Sequence, residues 1–201
     1  MRSFDPFDRF GAATVLIPMI TLRHPWLVAA LLIVACVSSG CPRVLYLDYH
    51  PSNSLKGSGT VQVAPFLYAG HSTGLIKQKE LESNSSNVEV LYLSQDISEF
   101  FTNAVKKELV FSGYTVQPGQ ERIVSGTIEQ FFLEYVGEAE QRFEIIATFT
   151  IIRPDAAVFT SPCRSNLRES KDWMKSGSLI ERGIKDCIGQ FMKRAQAAGV
   201  L

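Results

Sequence analysis

Histidine and cysteine would decide what chemistry this chain performs, and both are scarce: 3 His and 4 Cys in 201 residues. His71 stands beside Ser72 in a glycine-containing stretch, a base next to a nucleophile. A Ser–His hydrolase also needs a buried carboxylate to orient the imidazole and an oxyanion hole, and no G-x-S-x-G elbow is present. A zinc site needs about four clustered nitrogen or sulfur ligands. His50, His71, Cys163 and Cys187 supply that number without any ligand-spaced pair. Gly57-x-Gly59 lacks the remainder of a phosphate loop. Glu134, Glu138, Glu140 and Glu144 cluster along the sequence, where paired carboxylates could serve acid–base work, but they read as a solvated hairpin tip. The expectation is a protein without catalytic residues, metal or cofactor.

Cys41 offers different chemistry. Residues 26 to 37 form an apolar run without a charge, preceded by Arg23 and His24 and followed by Ser38, Ser39, Gly40 and Cys41. A run of about a dozen residues is short of the roughly 20 that span a bilayer, and behind a basic flank it reads as the h-region of a secretory signal. Ser38-Ser39-Gly40-Cys41 resembles a lipobox, where the signal is cut and a diacylglyceryl thioether, with palmitate-type acyl chains, forms on the cysteine. Leucine is usual where Ser38 stands. Ile33-Val34-Ala35-Cys36 is a rival lipobox, but a cut there would shorten the apolar run, which favours Cys41. A membrane anchor that is never cut is the remaining alternative. Asp5 and Asp8 are unusual ahead of an h-region, so Met19 reads as the start of translation and residues 1–18 as dispensable. Residues 1–40 are thus the expected signal segment. Pro42, which is not Asp, points by the sorting rule of enteric bacteria to the outer membrane, facing the periplasm.

Export changes the cysteine arithmetic. With Cys41 acylated, Cys163 and Cys187 remain, in an oxidising compartment. They fit one disulfide or two buried thiols equally well. The formal net charge is zero, which argues against a nucleic-acid partner.

The elements that must position these residues follow from hydrophobic periodicity. Residues 42–50 read as a short strand or extended lead, and 51–59, rich in Ser, Asn and Gly, as a flexible linker. Thr60 to Tyr68 alternates as a strand, 69–87 is a long polar loop, and Val88 to Leu93 a short strand. Residues 95–112 carry a helical stripe of Ile97, Phe100, Phe101, Ala104, Val105 and Leu109, with Asp96 to cap it and Gly113 to stop it. Strands are expected at 122–136, 141–153 and 158–167, the last interrupted near Pro162, and a closing helix at 173–197. The fold class is α+β: an antiparallel β-meander with two amphipathic helices packed on one face, in a single domain over 60–201.

Two further readings rest on this layout. The segment Ser112-Gly113-Tyr114-Thr115-Val116 after its helix, then Val124-Ser125-Gly126-Thr127-Ile128 and the strand over Phe143–Ile152, resembles the YajG family of small outer-membrane lipoproteins, and less closely the auxiliary lipoproteins of ABC-type transport systems. The resemblance covers roughly half the chain and implies a non-enzymatic, lipid-anchored envelope protein supporting an unidentified partner, or an auxiliary subunit of a lipid or solute transporter. It implies no catalytic residue. Next, if Val124, Ile128 and Phe132 face the helices, then Phe131, Leu133 and Tyr135 face away, joined by Ile146 and Ile152. That exposed apolar face is the expected partner surface.

Overall fold

Between Phe143 and Ile151 every second side chain is apolar, and in the computed structural model this alternation lies on an inner strand of a sheet. The structure describes residues 43–74, 76, 79–81, 91–136, 139–153, 158–172 and 175–201. The chain divides into two compact units, Met1–Cys41 and Pro42–Leu201, and all described residues lie in the second. Its strands are β1 (Arg43–Leu45), β2 (Thr60–Val63), β3 (Leu67–Tyr68), β4 (Leu91–Leu93), β5 (Thr115–Val116), β6 (Ile123–Val136), β7 (Glu140–Ile152) and β8 (Val158–Ser170). Its helices are α1 (Ala69–Ser72), α2 (Ile97–Phe111) and α3 (Ser176–Ala197).

Phe143, Ile145, Ala147, Phe149 and Ile151 of β7 are fully buried beneath the helices. Phe149 is the hub. Its ring stacks on Phe191 of α3 with centroids 4.1 Å apart, and meets Phe66 at 5.1 Å and Phe101 of α2 at 5.8 Å. Both helices end where their sequences say they must. Asp96 accepts from the backbone N–H of Ser98 and Glu99 at the start of α2. At its end Gly113 takes φ 101°, with Tyr114 N–H donating to Leu109 O and Gly113 N–H to Val110 O. The same pair of closing bonds ends α3, from Val200 to Ala195 and from Gly199 to Gln196.

The sheet is mixed, which corrects the expected meander. β6, β7 and β8 are consecutive and antiparallel, but β2 and β3 pair parallel to β6, and β5 parallel to β2, in the order β5-β2-β6-β7-β8. α2 makes this possible: parallel neighbours need a crossover connection of a dozen or more residues, and α2 lies in the chain between β2 and β5. β1 and β4 form a separate two-stranded parallel sheet. β8 runs unbroken through Pro162, against the expected interruption, because it is an edge strand with one unpartnered side. The segment read as a flexible linker is also corrected: residues 45–57 are fixed against the helices.

Gly183 lets α3 approach the sheet, since a Cβ there would sit 2.5 Å from the Phe143 ring. Gly189, on the same helix, would meet nothing within 4 Å. Gly183→Ala is expected to destabilise by about 1–3 kcal/mol through overpacking. Gly189→Ala should stabilise by roughly 0.5–1 kcal/mol through helix propensity. Denaturant midpoints of the two variants check the contrast.

Candidate functional site: a strap clamped in the helix seam

From Leu45 to Gly57 the chain lies along the seam between α2 and α3, forming a strap. Its partners come from both helices. On the α2 side, Lys107 Nζ donates to Tyr49 O at 2.9 Å and Gly57 N–H to Ser112 O at 2.8 Å. On the α3 side, His50 N–H donates to Glu181 at 2.8 Å and Gln196 Nε2 to Lys56 O at 3.1 Å.

Glu108 of α2 fastens the middle of the strap. Its carboxylate is buried and accepts three hydrogen bonds: Tyr49 O–H at 2.7 Å and Ser52 N–H at 3.1 Å on Oε1, and Asn53 N–H at 3.0 Å on Oε2. A buried charge is tolerated only when its acceptor sites are met in this way. Tyr49 is itself buried, which pushes its phenol well above the ordinary range, and the bond to Glu108 adds to the shift. The hydroxyl therefore stays protonated and available as a donor. Sequence reading missed Glu108, yet it left a signal: Phe100, Ala104 and Glu108 form one row at i, i+4 spacing, so a carboxylate interrupts the apolar stripe.

Between the strap and the outer side of α2 lies a groove of about 550 Å³, lined by Tyr49, Pro51, Lys106, Lys107, Val110 and Phe111 among others.

The expected partner surface is not where sequence parity put it. Phe131 is 0% exposed and Leu133 1% exposed, both in the core. The reason is a β-bulge between Ile128 and Gln130. Ile128 lies opposite Ala147, but Gln130 lies opposite Ile146, so Glu129 is an extra residue and every later side chain changes face. Phe131 then packs on Phe143 with centroids 5.0 Å apart, and Phe132, expected to face the helices, sits instead with the Arg142 guanidinium 5.5 Å from its ring centroid. Tyr135 is half-buried with Lys171 over its ring. Ile146 is half-buried and Ile152 exposed on the outward face. That face is largely polar, with Glu134 paired to Arg142 at 2.8 Å and Glu144 to Arg164 at 2.6 Å.

The remaining candidates are scattered. His71 Nδ1 lies 3.6 Å from Asp96, while the Ser72 hydroxyl bonds Ala69 O. Among the described residues no group of three or more His, Cys, Asp or Glu is placed to hold a metal ion. Cys163 and Cys187 are brought together, Cα atoms 5.2 Å apart, joining β8 to α3. Cys41 and Glu138 lie outside the described residues. Among those described, no helix is long and apolar enough to cross a membrane.

No family model and no curated protein matches this chain. Among solved structures it is similar to protein XCC0632 from Xanthomonas campestris, of family model DUF330. The overlay has a TM-score of 0.62 at 12% identity and covers 78% of this chain and 96% of that one. An uncharacterised protein overlays with a TM-score of 0.57 at 12% identity, over 77% of this chain and 99% of the other. These likenesses show a shared fold. Rare lipoprotein B from Shewanella oneidensis, at a TM-score of 0.40 and 8% identity over 69% of this chain and 96% of that one, is too distant to carry an argument.

Two outcomes test this arrangement. Glu108→Ala should destabilise by about 3 kcal/mol, leaving the buried Tyr49 hydroxyl and the Ser52 and Asn53 amides without their acceptor, and should expose the strap to protease between Tyr46 and Lys56 in limited digestion. Phe131→Ala should cost about 3–5 kcal/mol in a denaturant titration, as for a buried core aromatic. A surface residue would change stability by about 0.5 kcal/mol or less.

Proposed function

We propose that this chain is a non-enzymatic envelope lipoprotein, held at a bacterial membrane through a lipid on Cys41. One observation carries the reading: an apolar run ends in Ser38-Ser39-Gly40-Cys41, and after Pro42 alone the folded domain begins with Arg43 of β1. A signal segment followed by the start of the folded domain is consistent with anchoring at Cys41. His71 Nδ1 lies 3.6 Å from Asp96 and the Ser72 hydroxyl bonds Ala69 O, so these two sequence neighbours are engaged separately. The shared fold does not distinguish a YajG-type protein from other proteins built this way, so the outer-membrane location rests on Pro42 and the sequence resemblance. The same anchor would serve an auxiliary subunit of an ABC-type transporter. Co-purification of transporter components with the tagged protein would favour that reading over a stand-alone envelope role.

Cys163 and Cys187 belong to this proposal as a disulfide formed after export. Closing a loop of 24 residues adds about 3 kcal/mol in the chain-entropy account.

Mass spectrometry of the mature protein is expected to find an N-terminal peptide beginning at an acylated Cys41. A peptide running intact through Gly40 and Cys41 would contradict the anchor. In the same sample, denatured without reductant, Cys163 and Cys187 should resist thiol labelling. Two reactive thiols there would remove the disulfide.

A further inference from the structure

The groove beside the strap combines features that core formation does not explain. Val110 and Phe111 close α2 with 57% and 48% of their surface open to solvent. Cations surround them. Lys56 holds its ammonium 5.3 Å from the centre of the Phe111 ring, and Lys106 and Lys107 line the same groove. Asp48 is the one acid among the described lining residues, and it pairs with Lys107 at 3.8 Å. Glu181, beyond the strap, is occupied by His50 and Lys185, and Glu108 is buried under three donors. Three lysines against one aspartate make this face basic on a chain whose formal net charge is zero.

Two arguments select the occupant. The first is composition. Lysine is depleted in protein–protein interfaces, whereas apolar and aromatic side chains ringed by lysine are how proteins lie on anionic lipid. The second is reach. An acylated Cys41 stands two residues ahead of β1, a span of about 7 Å. β1 leads directly into the strap, where Tyr46 is 83% exposed. A domain tethered so closely must present some surface to the bilayer, and the strap is the surface continuous with the tether.

We propose that the strap-side face, with Val110 and Phe111 among Lys56, Lys106 and Lys107, docks on the surface of an anionic phospholipid bilayer. This rests on the reading of Cys41 as the anchor. The apolar side chains enter the headgroup boundary, and the lysine stems lie along it with their ammonium groups on the phosphates.

The test uses the full-length lipidated protein in vesicles of phosphatidylethanolamine with phosphatidylglycerol. Nitroxide labels are placed at Val110→Cys or, as a control, at Asn166→Cys on the exposed outward side of β8. The ratio of oxygen to nickel-chelate collisions should be several-fold higher at Val110 than at Asn166. It should fall to the control value in Lys56→Glu/Lys106→Glu protein and in vesicles of phosphatidylcholine alone. Water-like collision at Val110 on acylated protein in the anionic vesicles would overturn the proposal and leave the lipoprotein reading intact. Dipolar broadening between Val110 labels, the mark of a second copy on this face, would also overturn it. The N-terminal peptide of the same sample is weighed, and an unacylated Cys41 would overturn both readings.

Discussion

Glu108 puts a carboxylate into the interior, where an unpaired charge would cost several kcal/mol. The three donors that offset this cost, Tyr49, Ser52 and Asn53, are neighbours on the strap and distant from Glu108 in sequence. The charge is therefore tolerable only while the strap is in place, and it in turn fastens the middle of the strap between contacts to α2 and α3. Burial of Tyr49 keeps its hydroxyl a donor. Through this one group the strap and α2 depend on each other.

Much of the fold was legible because local signals agreed. α2 announced its ends through Asp96 and Gly113, and β7 its core face through strict alternation from Phe143 to Ile151. The meander was misread because direction is not local. Nothing in Thr60–Val63 tells a parallel strand from an antiparallel one, although an intervening amphipathic helix is the hint that the chain crosses over. The face of β6 was misread for a related reason. A single bulged residue reverses parity, and the apolar run Phe131-Phe132-Leu133 hides the reversal because both parities are apolar there. The visible trace is the switch from Val124, Gly126 and Ile128 to Phe131, Leu133 and Tyr135.

The site was less legible than the fold. Pro51-Ser52-Asn53-Ser54 looks like a linker because composition counts polar residues without asking what they bond. Here the polarity is spent locally: Asn53 Oδ1 accepts from Leu55 N–H at 2.9 Å, turning the chain, while the amides of Ser52 and Asn53 face Glu108. The lone carboxylate in the stripe of α2 was the clue that some segment had to come back and meet it. Exposed Val110 and Phe111 could not be anticipated either, since helical spacing ranks them only as residues the core does not need.

The proposed anchoring turns on how firmly the strap is held. If Cys41 carries the lipid, a domain whose strap is clamped to both helices would keep one face toward that anchor, whereas a domain on a long linker would sample many orientations. Hydrogen exchange at the strap amides measures this directly. The account predicts that Ser52, Asn53 and Gly57 exchange as slowly as the amides in the interior of α2, opening only when the domain unfolds. Exchange at the rate of an unstructured peptide, with α2 still protected, would contradict it.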